Sequence, residues 1–333
     1  QWPSLTELQL ELLFQNDDLF MSSRQGNLAQ VALSQVDLQL PSLGGVKALG
    51  IQAEFKTTGT RAKSLVDLSP LPEVTAALNS LQVAGDINGN IDIVIPFTDA
   101  EQLTVRGNIG LVNDSIYLPP LDLTLTDVTG SFKFDDAGLL STPLTAKLLG
   151  EPLNVNFSSA QQHNGYHVNV ELAGAWASKP IAAQFMPQYQ QYVSGGIDWQ
   201  GTLNMLFSQQ GFNYEFDVQS DLETFALDLP MPLAKRREQA WPTDISVVGN
   251  DKQAHIQLNA PDVGYFSGQV NYADKKLALI QSLVQIGNAN KLLISDAANA
   301  VVVNVDNLDI AEWQSWYSGL PDSEFDVGSA VEP

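Results

Sequence analysis

Apolar and polar residues alternate along almost the whole chain. Val31, Leu33, then Val36, Leu38 and Leu40 lead to Ile51, Ala53 and Phe55, and further on to Leu121, Leu123 and Leu125. Period two puts successive side chains on opposite faces, so each run predicts a strand with one apolar and one wet face. Leu153, Val155 and Phe157, then Tyr166, Val168, Val170 and Leu172, predict a hairpin across residues 161–165. Met205 and Phe207, then Phe212, Tyr214, Phe216 and Val218, predict another across 209–211, and the same alternation marks Ala254, Ile256, Leu258 and Val301, Val303, Val305. Neighbours joined by short turns pair antiparallel, so a meander is expected.

Within this alternation one pattern, apolar-x-Gly-x-apolar-x-apolar, recurs at residues 87–93, 105–111, 128–134, 199–205 and 266–272. A glycine on the apolar face of a strand marks a bend, a bulge or a close approach. Gly89, Gly107, Gly130, Gly201 and Gly268 are therefore expected to set the curvature of the sheet. The fold class read from the pattern is all-β with a few short helices, an elongated, twisted antiparallel sheet curved into a trough. The intervals between repeats are irregular, which argues against a β-helix or a propeller.

Punctuation supports the same reading. Leu38-Gln-Leu-Pro41, Ile116-Tyr-Leu-Pro119 and Leu227-Asp-Leu-Pro230 place prolines where strands must end, because proline cannot donate to a ladder. Four stretches have helical spacing: 72–81, with Ser69 and Pro70 before it; 180–193; 234–241; and 310–317, with Asp309 as its cap. Residues 1–318 read as one continuous β region with a weak boundary at 178–196, and 319–333 as a flexible acidic tail.

Composition narrows the partners. The 333 residues carry 16 Lys plus Arg against 38 Asp plus Glu, a formal charge of −22, so nucleic acid and anionic surfaces are repelled over most of the exterior. There is no cysteine, which fits a cytosolic or a periplasmic location equally. No apolar run approaches the roughly 18 residues of a membrane span, and the start Gln1-Trp2-Pro3 has neither a basic nor an apolar leader region. The expectation is a mature chain or a piece of a larger protein whose targeting signal lies elsewhere.

Catalytic and metal-binding signatures are weak. His163 and His167 have i,i+4 spacing, but on turn and strand they lie roughly 13 Å apart, too far to share an ion. Asp86, Asn88, Asn90 and Asp92 imitate the opening of a calcium loop, yet the glycine sits at the fourth position and no acid at the twelfth, so a polar strand face explains them better. Lys235-Arg236-Arg237 reads as the solvated face of a short helix, with a contact for an anionic headgroup as the other reading. No nucleophile elbow, phosphate loop or dinucleotide fingerprint is present, so no catalytic residue, cofactor or metal is expected.

A continuous apolar face must close as a barrel, pack on a second sheet, or hold an apolar ligand. For the last case Ile91, Ile93, Ile95, Val105, Ile109, Leu111, Phe132, Phe134, Leu203, Met205, Val270 and Tyr272 are the expected lining; for the first two they are ordinary core. Exposing two acyl chains of about thirty methylenes to water costs on the order of 24 kcal/mol at ~0.8 kcal/mol each, so a lipid crossing an aqueous gap needs unbroken apolar cover. The alternatives are a structural or protein-interaction β-protein with a closed core, and a carbohydrate-active enzyme with two carboxylates in an aromatic cleft.

The stretch Val105-Arg-Gly-Asn-Ile-Gly-Leu-Val-Asn-Asp-Ser-Ile-Tyr-Leu-Pro-Pro-Leu121, running into residues 125–135, resembles the AsmA-like proteins, as does Ser220-Asp-Leu-Glu-Thr-Phe-Ala-Leu-Asp-Leu-Pro-Met-Pro-Leu-Ala-Lys235. The likeness covers most of residues 28–320. It implies a large protein of Gram-negative bacteria, anchored in the inner membrane through a helix absent from this chain, with its bulk in the periplasm. It further implies a long β-groove that conducts phospholipids and supports the outer-membrane permeability barrier. Phospholipid, the inner membrane and outer-membrane components are the partners so implied; no enzyme activity is.

Overall fold

The computed structural model describes residues 4–45, 48–67, 82–97, 103–119, 123–261, 263–273, 276–287 and 299–320. The chain divides into two compact units, Gln1–Ala173 with Thr202–Glu215, and Gly174–Gly201 with Phe216–Pro333. Both are built of β-strands.

In the first unit the strands are β1 (Leu5–Thr6), β2 (Glu11–Gln15), β3 (Asp18–Ser23), β4 (Gly26–Leu28), β5 (Val31–Leu40) and β6 (Ala48–Thr58). Helix α1 (Gly59–Asp67) follows, then β7 (Gln82–Ala84), β8 (Asp86–Pro96), β9 (Thr104–Leu118), β10 (Leu123–Asp135), β11 (Gly138–Ser141), β12 (Leu144–Leu148) and β13 (Glu151–Gln162). Strand β14 (Gly165–Ala177) belongs to this unit up to Ala173. Antiparallel ladders join β2 to β3, β3 to β5, and then β5, β6, β8, β9 and β10 in succession. Strand β10 pairs with both β11 and β12, these with β13, and β13 with β14. Pro41 and Pro119 stand immediately beyond the ends of β5 and β9, where the missing N–H does no harm.

Helix α2 (Ser178–Phe185) and a 3-10 turn, Pro187–Tyr192, lie in the second unit, and β15 (Val193–Ser208) and β16 (Gly211–Ser220) each contribute residues to both units. Then come β17 (Phe225–Leu227), β18 (Thr243–Asn250), β19 (Gln253–Ala260), β20 (Gly264–Ala273), β21 (Lys276–Gly287), β22 (Asn299–Asn304) and helix α3 (Ile310–Ser318). Strands β18 to β21 form an antiparallel meander. Strand β22 pairs with β21 in parallel, which departs from the meander. The reason is the connection: 288–298 is too long for a tight hairpin, and only a long connection allows a parallel partner.

Other departures from the sequence reading are local. Residues 234–241 form no helix; Lys235 instead makes a β-bridge with Leu227, its N–H and C=O both at 2.9 Å from the partner backbone. The N–H groups of Glu238 and Trp241 donate to the carbonyls of Glu223 and Asp221, so the segment's backbone is satisfied by the preceding stretch rather than by itself. Nor does Lys235 belong to a solvated face. It is buried, Nζ donating to the carbonyls of Phe225 at 2.7 Å and Arg236 at 3.3 Å, while Arg236 and Arg237 are exposed. Helix α1 was not expected, and the stretch 72–81 lies outside the described residues. Helix α3 begins as read, with the Asp309 carboxylate accepting from the N–H groups of Ala311 and Glu312.

Candidate functional site

Cross-strand registers turn the alternation into two surfaces. In the first unit one row runs Ala53, Ile91, Gly107, Phe134, Leu139 across β6, β8, β9, β10 and β11. Beside it run Phe55, Gly89, Ile109, Phe132 and, on the other side, Ile51, Ile93, Val105. The residues one step along each strand face the other way. Gln35, Glu54, Asn90, Asn108 and Lys133 form one polar row, and Asp37, Gln52, Asp92 and Arg106 a second. Arg106 Nη2 and Nε reach Asp92 Oδ2 at 2.9 and 3.2 Å. An open depression lies among these polar side chains. Ala53, Ile91, Gly107 and Phe134 also line it, but the charged Asp37, Glu54, Asp92, Arg106, Lys133 and Asp135 make it a poor seat for hydrocarbon, so the apolar face is the candidate site.

The structure brings Ile91, Ile93, Ile95, Val105, Ile109, Leu111, Phe132 and Phe134 together on that face. Ile93, Val105 and Leu111 are buried, the other five half-buried. Phe132 also meets Phe157 of β13, centroids 5.6 Å apart. Leu203 and Met205 fall in the first unit on β15, half-buried and buried. Val270 and Tyr272 belong to the second unit, on β20. One end of the face is filled from within: Val31, Leu33, Val36 and Ala53 form a buried cluster, with Leu8 of the N-terminal segment and Leu65 of α1 packed on it, and Ile91 at its margin.

Sequence reasoning missed the phenylalanines that lie on the repeat glycines. A Cβ built on Gly107 would stand 2.6 Å from Phe134 Cζ, and one on Gly89 2.8 Å from Phe55 Cζ. In the second unit Phe216 Cε2 would be 3.1 Å from a Cβ on Gly201 and Phe266 Cζ 2.7 Å from one on Gly268. The fifth glycine, Gly130, has φ +142° and lies under Leu144. The one available signal was the aromatic two residues before Gly268 in the same repeat. A second unforeseen feature is the pair Trp176 and Trp199, edge to face over Gly174 at 4.9 Å, with Trp199 Nε1 buried and without an acceptor.

Few polar groups enter the apolar side. Tyr166 and Ser159 share a buried hydrogen bond of 2.6 Å, and burial pushes the Tyr166 hydroxyl pKa up against the opposing pull of Ser159. Asp114 is 1% exposed; its Oδ2 accepts the Val112 N–H at 2.7 Å and its Oδ1 has no partner. Burial raises its pKa, the Val112 N–H lowers it, and nearby Asp86 raises it further. Asp86, Asn88, Asn90 and Asp92 lie along β8, a strand paired on both edges. His167 Nε2 is 2.7 Å from Asn164 Oδ1 at the β13–β14 turn. Among the described residues no three His, Asp or Glu side chains are placed to hold a metal ion, and no helix is long and apolar enough to cross a membrane.

Fold and surface together define an all-β protein of mostly antiparallel sheet, with one apolar and one charged face across β6, β8, β9 and β10. The chain belongs to the YhdP protein family, which matches residues 1–330. It is 31% identical over 320 residues, 94% of its own length, to the intermembrane phospholipid transporter YhdP of Escherichia coli strain K12. It spans 24% of that relative's length. No solved structure matches it.

Proposed function

We propose that the chain is a periplasmic segment of a bridge-like lipid transport protein that holds phospholipid acyl chains against its apolar sheet face between the inner and outer membranes. The observation that carries this reading is the set of adjacent apolar rows across β6, β8, β9 and β10, backed by charged rows, in a chain similar to a phospholipid transporter. Such a wall replaces water along the acyl chains while the headgroup remains in solvent, so passage needs no reaction and the protein is no enzyme. The longer protein would be anchored in the inner membrane, deliver to outer-membrane components and so support the permeability barrier. The repeat glycines set the curvature of the wall.

A second reading, a cell-envelope β-protein with a closed core and no ligand, draws on the filled cluster of Val31, Leu33, Val36 and Ala53. One experiment separates the two. Photo-crosslinking residues are placed at Ile93 and Phe132 on the apolar face and at Asn90 and Lys133 on the polar face, and the purified chain is incubated with phospholipid. Adducts confined to the first pair support the lipid wall; a folded chain without adducts at any of the four leaves the closed core.

A further inference from the structure

Four of the five repeat glycines carry the distal edge of a phenylalanine ring over the Cα: Phe55 on Gly89, Phe134 on Gly107, Phe216 on Gly201 and Phe266 on Gly268. The rings reach their seats by different routes. Phe55 and Phe134 come from the directly paired position on the neighbouring strand, whereas Phe266 comes from two residues earlier on the same strand. The result is common to all four, so it is the arrangement and not one local register that the sequence repeats. All four rings are half-buried. A ring pressed onto a bare Cα lies close to the sheet, filling the gap left by the missing side chain, as aromatic residues do over glycine in paired strands. Each ring keeps part of its surface exposed, although Phe55 also packs against the buried cluster of Val31, Leu33, Val36 and Ala53.

Resting on the lipid-wall reading, we infer that these phenylalanines are the positions against which an acyl chain slides, and that the repeat glycines are height-setting residues for them. A methyl group at the glycine would occupy the seat of the ring. The ring would have to lift away from the sheet into the space of a linear acyl chain, since packed aromatic and aliphatic atoms approach no closer than about 3.5 to 4 Å. The ligand class is a saturated or singly unsaturated hydrocarbon chain, thin enough to lie along a low aromatic floor. Curvature alone makes no such demand, because it depends on the backbone and not on the ring above it.

Gly268 provides the cleanest test. A Cβ on Gly89 or Gly107 would also strike a carbonyl oxygen of the adjacent strand, but the nearest atoms to one on Gly268 are Phe266 Cζ at 2.7 Å, Phe266 Cε1 at 3.1 Å and Leu279 Cδ1 at 3.2 Å, all side chain. The full chain is incubated with a phospholipid carrying a diazirine in one acyl chain, irradiated, and its lipid adducts counted by mass spectrometry, with thermal melts to verify folding. Gly268→Ala is expected to lower adduct yield about five-fold, and Gly268→Ala with Phe266→Leu to restore it to within about two-fold. Should Gly268→Ala not fold, Phe266→Trp raises the same floor and carries the same expected loss. If the folded Gly268→Ala chain captures as much lipid as wild type, or if the double variant stays as low as the single one, the height-setting role is overturned. If the wild-type chain captures none, the lipid-wall reading itself fails first.

Discussion

Asn90 and Asn108 face each other across β8 and β9, and the side-chain Oδ1 of Asn90 accepts the backbone N–H of Asn108 at 3.0 Å. The glycines beside them complete the arrangement. A Cβ on Gly107 would fall on the carbonyl oxygen of Asn90, and one on Gly89 on that of Asn108, so the two strands approach with only glycine hydrogens between them. Alanine at Gly107 must part the strands and displace Phe134 together. Overpacking of this kind costs about 1–3 kcal/mol. In urea unfolding Gly107→Ala should lose that much, while Gly45→Ala, with nothing within 4 Å of its Cβ, should stay within about 1 kcal/mol of wild type. Equal losses at the two sites would refute the close approach.

Asp114 should make stability depend on pH. Its folded pKa lies above the ordinary value of 3.8, so the native state binds the proton more tightly than the unfolded chain does. The native state is least penalised below the unfolded value, where the carboxyl is protonated in both states, and loses stability as pH rises through the folded pKa. Asp114→Asn keeps an acceptor for the Val112 N–H without the charge. Its stability relative to wild type should therefore rise from pH 4 towards pH 7; a flat difference would show that the buried carboxyl is not the titrating group.

Lys235 fastens the irregular segment that follows β17. Removing its ammonium leaves the Phe225 carbonyl without that donor, and an orphaned buried acceptor costs about 1–3 kcal/mol. Burial lowers the Lys235 pKa while Asp221 and Glu223 raise it, and the Trp241 ring lies 5.8 Å from Nζ. Lys235→Met, close in volume, should speed amide hydrogen exchange at Leu227 and Lys235, whose backbones bridge each other, and leave β8 and β9 unchanged. Arg236→Met, at an exposed side chain, is the comparison.

Asp309 caps α3 through two backbone N–H groups at 3.0 Å each. Loss of such a cap typically costs about 1 kcal/mol of helix stability. The helix holds Trp316 against Tyr189 and Tyr192, centroids 6.2 and 5.7 Å away, and Trp313 donates to the Met231 carbonyl at 2.8 Å. Asp309→Ala should shift tryptophan emission to the red as these rings become wetted. Unchanged emission would mean that the aromatic packing holds the helix without its cap.

The strands were legible because period two needs no partner to be read: Val31 to Leu40, the repeat at 87–93 and the hairpin after Phe157 stand where alternation placed them. The Asp309 cap was equally local. Helix α1 was not legible, since in Gly59-Thr-Arg-Ala-Lys-Ser-Leu65 only Leu65 is a large apolar residue, and its packing against the core supplies what the segment lacks. Residues 234–241 had the spacing of a helix but form an irregular segment, because Leu227, Glu223 and Asp221 offered their backbone partners.

Asp114 shows why the apolar face could not be completed from the pattern. In β9 the alternation Val105, Gly107, Ile109, Leu111 would continue to Asn113, but Asn113 has φ +56° and breaks the phase, so Asp114 takes the inward position opposite Val128. Asp127, with φ +53°, makes the same one-residue shift in β10, from Leu123 and Leu125 to Val128, Gly130 and Phe132. The sequence by itself determined that the chain is made of strands with one apolar and one polar side, because side-chain direction along a strand is a local property. Only the tertiary structure decided which residues meet across that face, which phenylalanine lies on which glycine and which carboxylate is buried, because register and bulges arise from pairing between strands far apart in the chain.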